Sequence, residues 1–210
     1  MIVIGTASIT PRLERCLVTA VLRTADLPYR IIVDRGAGTH GAKLDRILKE
    51  LPAATTWFCT FDDDAAPMQY GWMSWLLAQI GPLQWGGFWH TRSGTPHPMG
   101  AMYRVSWLRD SGASFEPDMP RYDVGEGFGI GEPAFIATPA ARSVRPWWLS
   151  RADVAIDSDG YIVYAHIGGG TIGHTSPRIP NILWPWCVQR FINRSDSSRR
   201  SRLRRWSRGR

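Results

Sequence analysis

Three consecutive aspartates, Asp62, Asp63 and Asp64, follow the apolar run Trp57–Phe61 and precede Ala65, Ala66 and Pro67. Adjacent carboxylates repel one another unless a cation neutralises them. On an extended backbone alternate residues face the same way, so Asp62 and Asp64 are expected to converge on one target while Asp63 points elsewhere. Their hard oxygen donors suit Mg2+ or Mn2+, and such sites hold few protein carboxylates, completing the shell with water and phosphate oxygens. The pattern points to a metal–diphosphate site. Its rival is a solvated turn in which an aspartate caps a helix before Pro67.

The elements that must aim these groups are readable from periodicity. Residues 2–6 (IVIGT), 29–33 (YRIIV) and 57–61 (WFCTF) read as buried strands. Leu13, Cys16, Leu17, Ala20 and Val21 form one helical stripe, which Thr10-Pro11 could open. Leu44, Ile47, Leu48 and Leu51 form a second stripe, and Trp72, Trp75, Leu76 and Ile80 a third. Strand alternating with helix over the first eighty residues predicts an α/β domain, a mostly parallel sheet with helices on both faces. Ligands bind such sheets beyond the carboxyl ends of the strands, where the aspartates fall. The second half is less regular: short runs (WGGFW, AMYRVSWL, YIVYAHI) stand between Gly/Pro/Asp-rich connections, which suggests extra strands and pocket-building loops.

Composition narrows the class. The 210 residues are 44% hydrophobic, with eleven tryptophans, enough for one aromatic core and one domain. The net charge of +7 is local: residues 190–210 hold nine arginines against Asp196 alone, while the preceding 189 residues are close to neutral. Three cysteines, Cys16, Cys59 and Cys187, without C-x-x-C spacing argue against a disulfide framework or zinc knuckle. A reducing cytoplasm is the expected compartment, host cytoplasm for a viral chain, with no signal peptide at MIVIGTAS. Residues 65–91 carry no charge, but Pro67, Gly71, Gly81, Pro82, Gly86 and Gly87 cut them into pieces shorter than the ~20 residues a span needs.

The order strand, FDDDAAP, aromatic-rich helix resembles the D-x-D segment of the GT-A nucleotide-sugar glycosyltransferases, in particular the inverting family 2. HPMGAMYRVSWLRDSGASFEP (97–117) looks like that family's acceptor-side segment, with Gly100, Arg104, Gly112, Phe115 and Glu116 in the matching places. GIGEPAF (129–135) is similar to its G-E-D element, with Pro133 where the Asp would stand, and YIVYAHIGGGT (161–171) to its closing strand ending in His. These segments keep the family's order over roughly residues 1–175.

The resemblance implies a Rossmann-like GT-A domain at residues 1–178, its nucleotide-sugar half at 1–95 and acceptor half at 96–178; composition alone reads 179–210 as a Trp-containing bridge and an Arg-rich tail too polar and repulsive to pack, hence expected to be disordered. It implies a divalent ion (Mn2+ or Mg2+) on Asp62, Asp64 and His166, and a nucleoside-diphosphate sugar, UDP-sugar favoured, near Thr6, Ser8, Arg12, Asp34, Asp62 and Asp63. The metal would act as a Lewis acid on the departing diphosphate. A base must then deprotonate an acceptor hydroxyl. Pro133 removes the expected Asp, so Glu132 is favoured by position, Glu126 second, with Asp123 in the same glycine-rich stretch.

Arg199, Arg200, Arg202, Arg204, Arg205 and Arg208, interleaved with Ser and Trp206, form a footprint for a polyanion. One reading makes the acceptor DNA, with a hydroxymethyl base glycosylated as phage-encoded members of this broad class do, the base leaving the stack to reach the pocket. A second makes the chain a peripheral membrane enzyme on a lipid-linked or cell-envelope acceptor, held by Trp184, Trp186, Phe191 and the arginines. A third, prompted by Pro133, is a non-catalytic nucleic-acid-binding module. Other signals are discounted: GGGTIG (168–173) lacks a following βαβ unit, and His90, His97 and His174 lack metal spacing. Trp72, Trp75, Trp85 and Trp89 are read as core, whereas Trp107, Trp147 and Trp148 fall in the half expected to face the acceptor.

Overall fold

Strand alternation sorts the apolar residues of the first half into two layers. The computed structural model describes residues 1–8, 11–90, 95–116, 136–137, 153–156 and 162–166. Strands β1 (Ile2–Ala7), β2 (Tyr29–Asp34) and β3 (Trp57–Asp62), with helices α1 (Pro11–Thr24) and α2 (His40–Lys49), occupy the places their periodicity predicts. Ile2 and Ile4 of β1 and Cys59 and Phe61 of β3 pack with Leu17 and Val21 of α1, and with Trp72, Met73, Leu76 and Ile80 of α3 (Trp72–Ile80). Val3, Ala7 and Phe58 turn the other way, onto Leu44, Ile47 and Leu48 of α2 and Val105 and Leu108 of α4 (Val105–Ser111). Both faces of the sheet are thereby covered, and each fully buried large side chain contributes about 1.5–3 kcal/mol.

The remaining strands are β4 (Ala65–Pro67), β5 (Trp85–His90), β6 (Thr95–Arg104), β7 (Ile136–Ala137), β8 (Asp153–Ile156) and β9 (Ile162–His166). The main sheet runs β2-β1-β3-β6-β5-β7. β1 is parallel to β2 and β3, β6 is antiparallel to β3 and β5, and β7 is parallel to β5, so β6 alone opposes the common direction. This is the expected mostly parallel α/β architecture. The uncharged stretch 65–91 is divided among β4, α3 and β5, and no helix among the described residues is long and apolar enough to cross a membrane.

Two expectations about the aspartates need correction. The chain does not stay extended through them: Asp62 ends β3, and Asp63 and Asp64 form a turn into β4. Nor does an aspartate cap the next helix, because β4 intervenes and α3 begins later, with Gly71 at its N-cap. The physical reason is a second, antiparallel sheet, β4-β9-β8, which recruits Ala65–Pro67 as a strand and so ends β3 at a sharp corner.

The segment that led to Gly100 and Phe115 folds as its pattern suggested: strand β6, helix α4 ending at Gly112, then buried Phe115. Trp72 and Trp85 are buried and Trp75 packs partly buried against the core. Trp107 packs partly buried against the α2/α4 layer. Trp147, Trp148, His174, the glycine run 168–173, the bridge and the Arg-rich tail lie outside the described residues.

Candidate metal centre

Parallel pairing aligns the ends of three strands. Ala7 is the register partner of both Asp34 on β2 and Asp62 on β3, so two aspartates end neighbouring strands at one level of the sheet's carboxyl edge. Above that level lie the turn Asp63–Asp64 and the residue after β1, Ser8, whose N–H donates to Asp34 O at 2.9 Å.

The second sheet brings the distant partner. Ala65 and His166 are register partners across β4 and β9, which sets the imidazole beside the turn. His166 Nε2 lies 3.1 Å from Asp64 Oδ1 and 3.5 Å from Asp62 Oδ2. One donor atom from each of Asp62, Asp64 and His166 falls within 4.8 Å of the others. Asp64 is 2% exposed and His166 4%, while Asp62 keeps an edge open to solvent. The converging pair expected at Asp62 and Asp64 is therefore present, produced by a turn rather than by alternation, and His166 joins it.

The donor set fits a divalent ion. Two carboxylates and one imidazole nitrogen suit Mn2+, and the carboxylates also accept Mg2+. Burial adds to the case, because Asp64, at 2% exposure, places a carboxylate out of water beside Asp62. Such burial is costly unless the charge is paired or bound to a metal.

Asp63 is turned away from this cluster: Ser8 Oγ donates to its Oδ2 at 3.5 Å. Lys43 Nζ donates to Ser8 O at 3.1 Å from a buried position on α2, so the residue after β1 is fastened on both sides. Asp34 accepts from Arg46 Nε at 2.8 Å, Arg46 Nη2 at 3.1 Å and the Gly36 N–H at 2.7 Å. The Arg46 guanidinium holds its carboxyl below the usual carboxylate range, with the Gly36 amide assisting and partial burial opposing. Thr6 is fully buried within β1, and Arg12 is exposed in the first turn of α1. Thus Ser8, Asp34, Asp62, Asp63, Asp64 and His166 share one edge. Glu132, Glu126, Asp123, Pro133 and the arginines from Arg199 to Arg208 lie outside the described residues.

Sequence reasoning missed His40. It is the first residue of α2, and its Nε2 lies 3.2 Å from Asp62 Oδ1. Lys43, one turn later on the same face, was missed as well. The available signal was positional: a helix following a parallel strand returns from the edge where that strand ended, so its first turn borders the site.

No family model matches the chain, and no curated protein matches it. Among solved structures it is similar to the mannosyltransferase PcManGT from Pyrobaculum calidifontis in complex with GDP-Man and Mn2+, at TM-score 0.47 and 11% identity over 71% of this chain. The chain spans 60% of that protein's length. It is also similar to A197 from STIV, at TM-score 0.39 and 11% identity, over 77% of this chain and 92% of that one.

Proposed function

We propose that this chain transfers a sugar from a nucleoside-diphosphate sugar to an acceptor hydroxyl, with inversion, using a divalent ion held by Asp62, Asp64 and His166. The observation that supports it most is the convergence of those three donors within 4.8 Å at the carboxyl edge of β3. The D-x-D resemblance of FDDDAAP in sequence supports it independently. A bound Mn2+ or Mg2+ supplies Lewis-acid stabilisation of the leaving diphosphate.

In this reading Ser8, Asp34, Asp63 and Arg12 border the nucleotide, UDP favoured, with Thr6 in the strand behind them. Glu132 deprotonates the acceptor, with Glu126 and then Asp123 as the alternatives supported by their shared glycine-rich stretch. The acceptor is a hydroxymethyl base in DNA; the nine arginines of residues 190–210 support a polyanionic partner.

The test incubates the protein and Mn2+ with UDP- and GDP-sugars and, in turn, hydroxymethylated DNA, unmodified DNA and a lipid extract, read by mass spectrometry. A hexose adduct on hydroxymethylated DNA alone is the expected result. An adduct on lipid replaces the acceptor with a membrane one. No adduct, with no donor-dependent thermal shift and strong salt-sensitive DNA binding, replaces the enzyme with a binding module.

A further inference from the structure

The two oxygens of Asp62 have different neighbours. Oδ2 faces His166 Nε2 at 3.5 Å, on the side of Asp64, whereas Oδ1 faces His40 Nε2 at 3.2 Å. His40 is not among the three residues whose donor atoms cluster, and it meets the other oxygen of the carboxylate.

The ring stands on a well-anchored element. Thr39 caps α2, accepting from the Ala42 N–H at 3.0 Å, and its hydroxyl donates to Glu116 Oε1 at 3.0 Å. The next residue, Gly41, lies so close to the Phe115 carbonyl that an added Cβ would come within 2.2 Å of it. Asp45 on the same helix accepts from the Phe115 N–H at 2.8 Å. The first two turns of α2 are thus clamped to the segment after α4, and His40 is presented to Asp62 from a fixed platform. The positive end of the α2 dipole favours a carboxylate at that place.

We propose that His40 is a positioning residue for the metal centre: it holds Asp62 Oδ1 and thereby leaves Oδ2 as the oxygen turned toward Asp64 and His166. This rests on the metal-dependent reading above. A carboxylate whose second oxygen is tied down binds through one oxygen in a set direction, and partners of this kind typically change metal affinity by about 10–100-fold. The same 3.2 Å contact restricts the Asp62 side chain before the ion arrives, lowering the ordering cost on binding.

The experiment measures Mn2+ affinity by the electron paramagnetic resonance signal of free Mn2+, for the wild-type chain, His40→Leu, His40→Gln and Asp64→Asn, without donor or acceptor. Leucine keeps bulk on α2 but no donor, and glutamine restores an N–H near the Nε2 position. Melting in metal-free buffer checks that each variant folds. The expected result is tight binding by wild type, loss in Asp64→Asn, about 10–100-fold weakening in His40→Leu and recovery to within about threefold in His40→Gln. Wild-type binding with His40→Leu unchanged overturns the role of His40 and leaves the metal centre standing. Equal weakening in Leu and Gln variants overturns positioning in favour of direct ligation. Absence of wild-type binding overturns the metal centre and this inference with it.

Discussion

Ala65 and His166 face each other across the antiparallel pair β4 and β9, and that pairing carries the imidazole to within 3.1 Å of Asp64. The aspartate turn and the histidine lie far apart in sequence, yet the strand following the turn is itself the template for the strand that delivers the histidine. The centre is therefore assembled by the small sheet, while the large sheet supplies only the platform under Asp62. Damage to either sheet should be felt at the metal.

Removing a donor should abolish metal-linked stability. With Mn2+ at 100 times its dissociation constant, a single site stabilises a protein by about 2.7 kcal/mol. His166→Ala and Asp64→Asn are expected to melt close to wild type without metal and to lose the Mn2+-dependent rise. Thermal melts with and without Mn2+ check this, and a preserved rise in both variants would remove these residues from the ion's shell.

Gly100 should be irreplaceable for a packing reason that reaches the site. It lies opposite Phe61 on β3, and an added Cβ would meet the Tyr164 ring at 2.6 Å and the Phe88 ring at 2.7 Å. Those rings stack with centroids 4.1 Å apart and couple β5 to β9, two residues before His166. Gly100→Ala is expected to cost about 1–3 kcal/mol by overpacking. Denaturant unfolding should show that loss, and Mn2+ titration a weaker site; full stability in the variant would mean the stack parts without strain.

The Asp34–Arg46 pair predicts a pH dependence with a definite sign. Asp34 ionises below its ordinary range because of Arg46, so its contribution is complete above the unfolded carboxylate value near 4 and fades as pH falls through the lower folded value. Arg46→Met should therefore melt below wild type at neutral pH, and the gap should close as the pH drops below about 4. Melting curves from pH 7 to 2 test it; a gap that widens in acid contradicts the assignment.

For the proposed base, Glu132→Gln should reduce transfer by at least about a hundredfold, in line with general base catalysis, while donor binding stays intact. Single-turnover assays beside donor calorimetry separate the two quantities. Normal turnover would move the role to Glu126 or Asp123.

Truncation after residue 189 removes nine arginines and one acid. If the tail grips DNA, the truncated chain should bind it weakly and with a much shallower salt dependence, since each phosphate contact contributes about −0.9 to the slope. Donor hydrolysis should survive. Unchanged DNA binding, or a loss confined to anionic liposomes, would favour a different partner.

Local chemistry made much of this protein legible in one dimension. Short apolar runs marked β1 to β3 and period-3.6 stripes marked α1 to α3, because burial on a covered sheet leaves few other arrangements of Ile, Leu and Trp. The acidity of Asp62–Asp64 at a strand's end marked the site, since carboxylates gathered there need a cation. What only the tertiary structure decided were matters of pairing between segments far apart. Ala65–Pro67 is too short to signal a strand, and becomes one because β9 pairs with it. That pairing turned an expected extended run into a corner and brought His166 to Asp64. His40 carried no local mark, because its meeting with Asp62 depends on α2 starting at the edge where β3 ends, a distance set by sheet and helix packing rather than by any spacing along the chain.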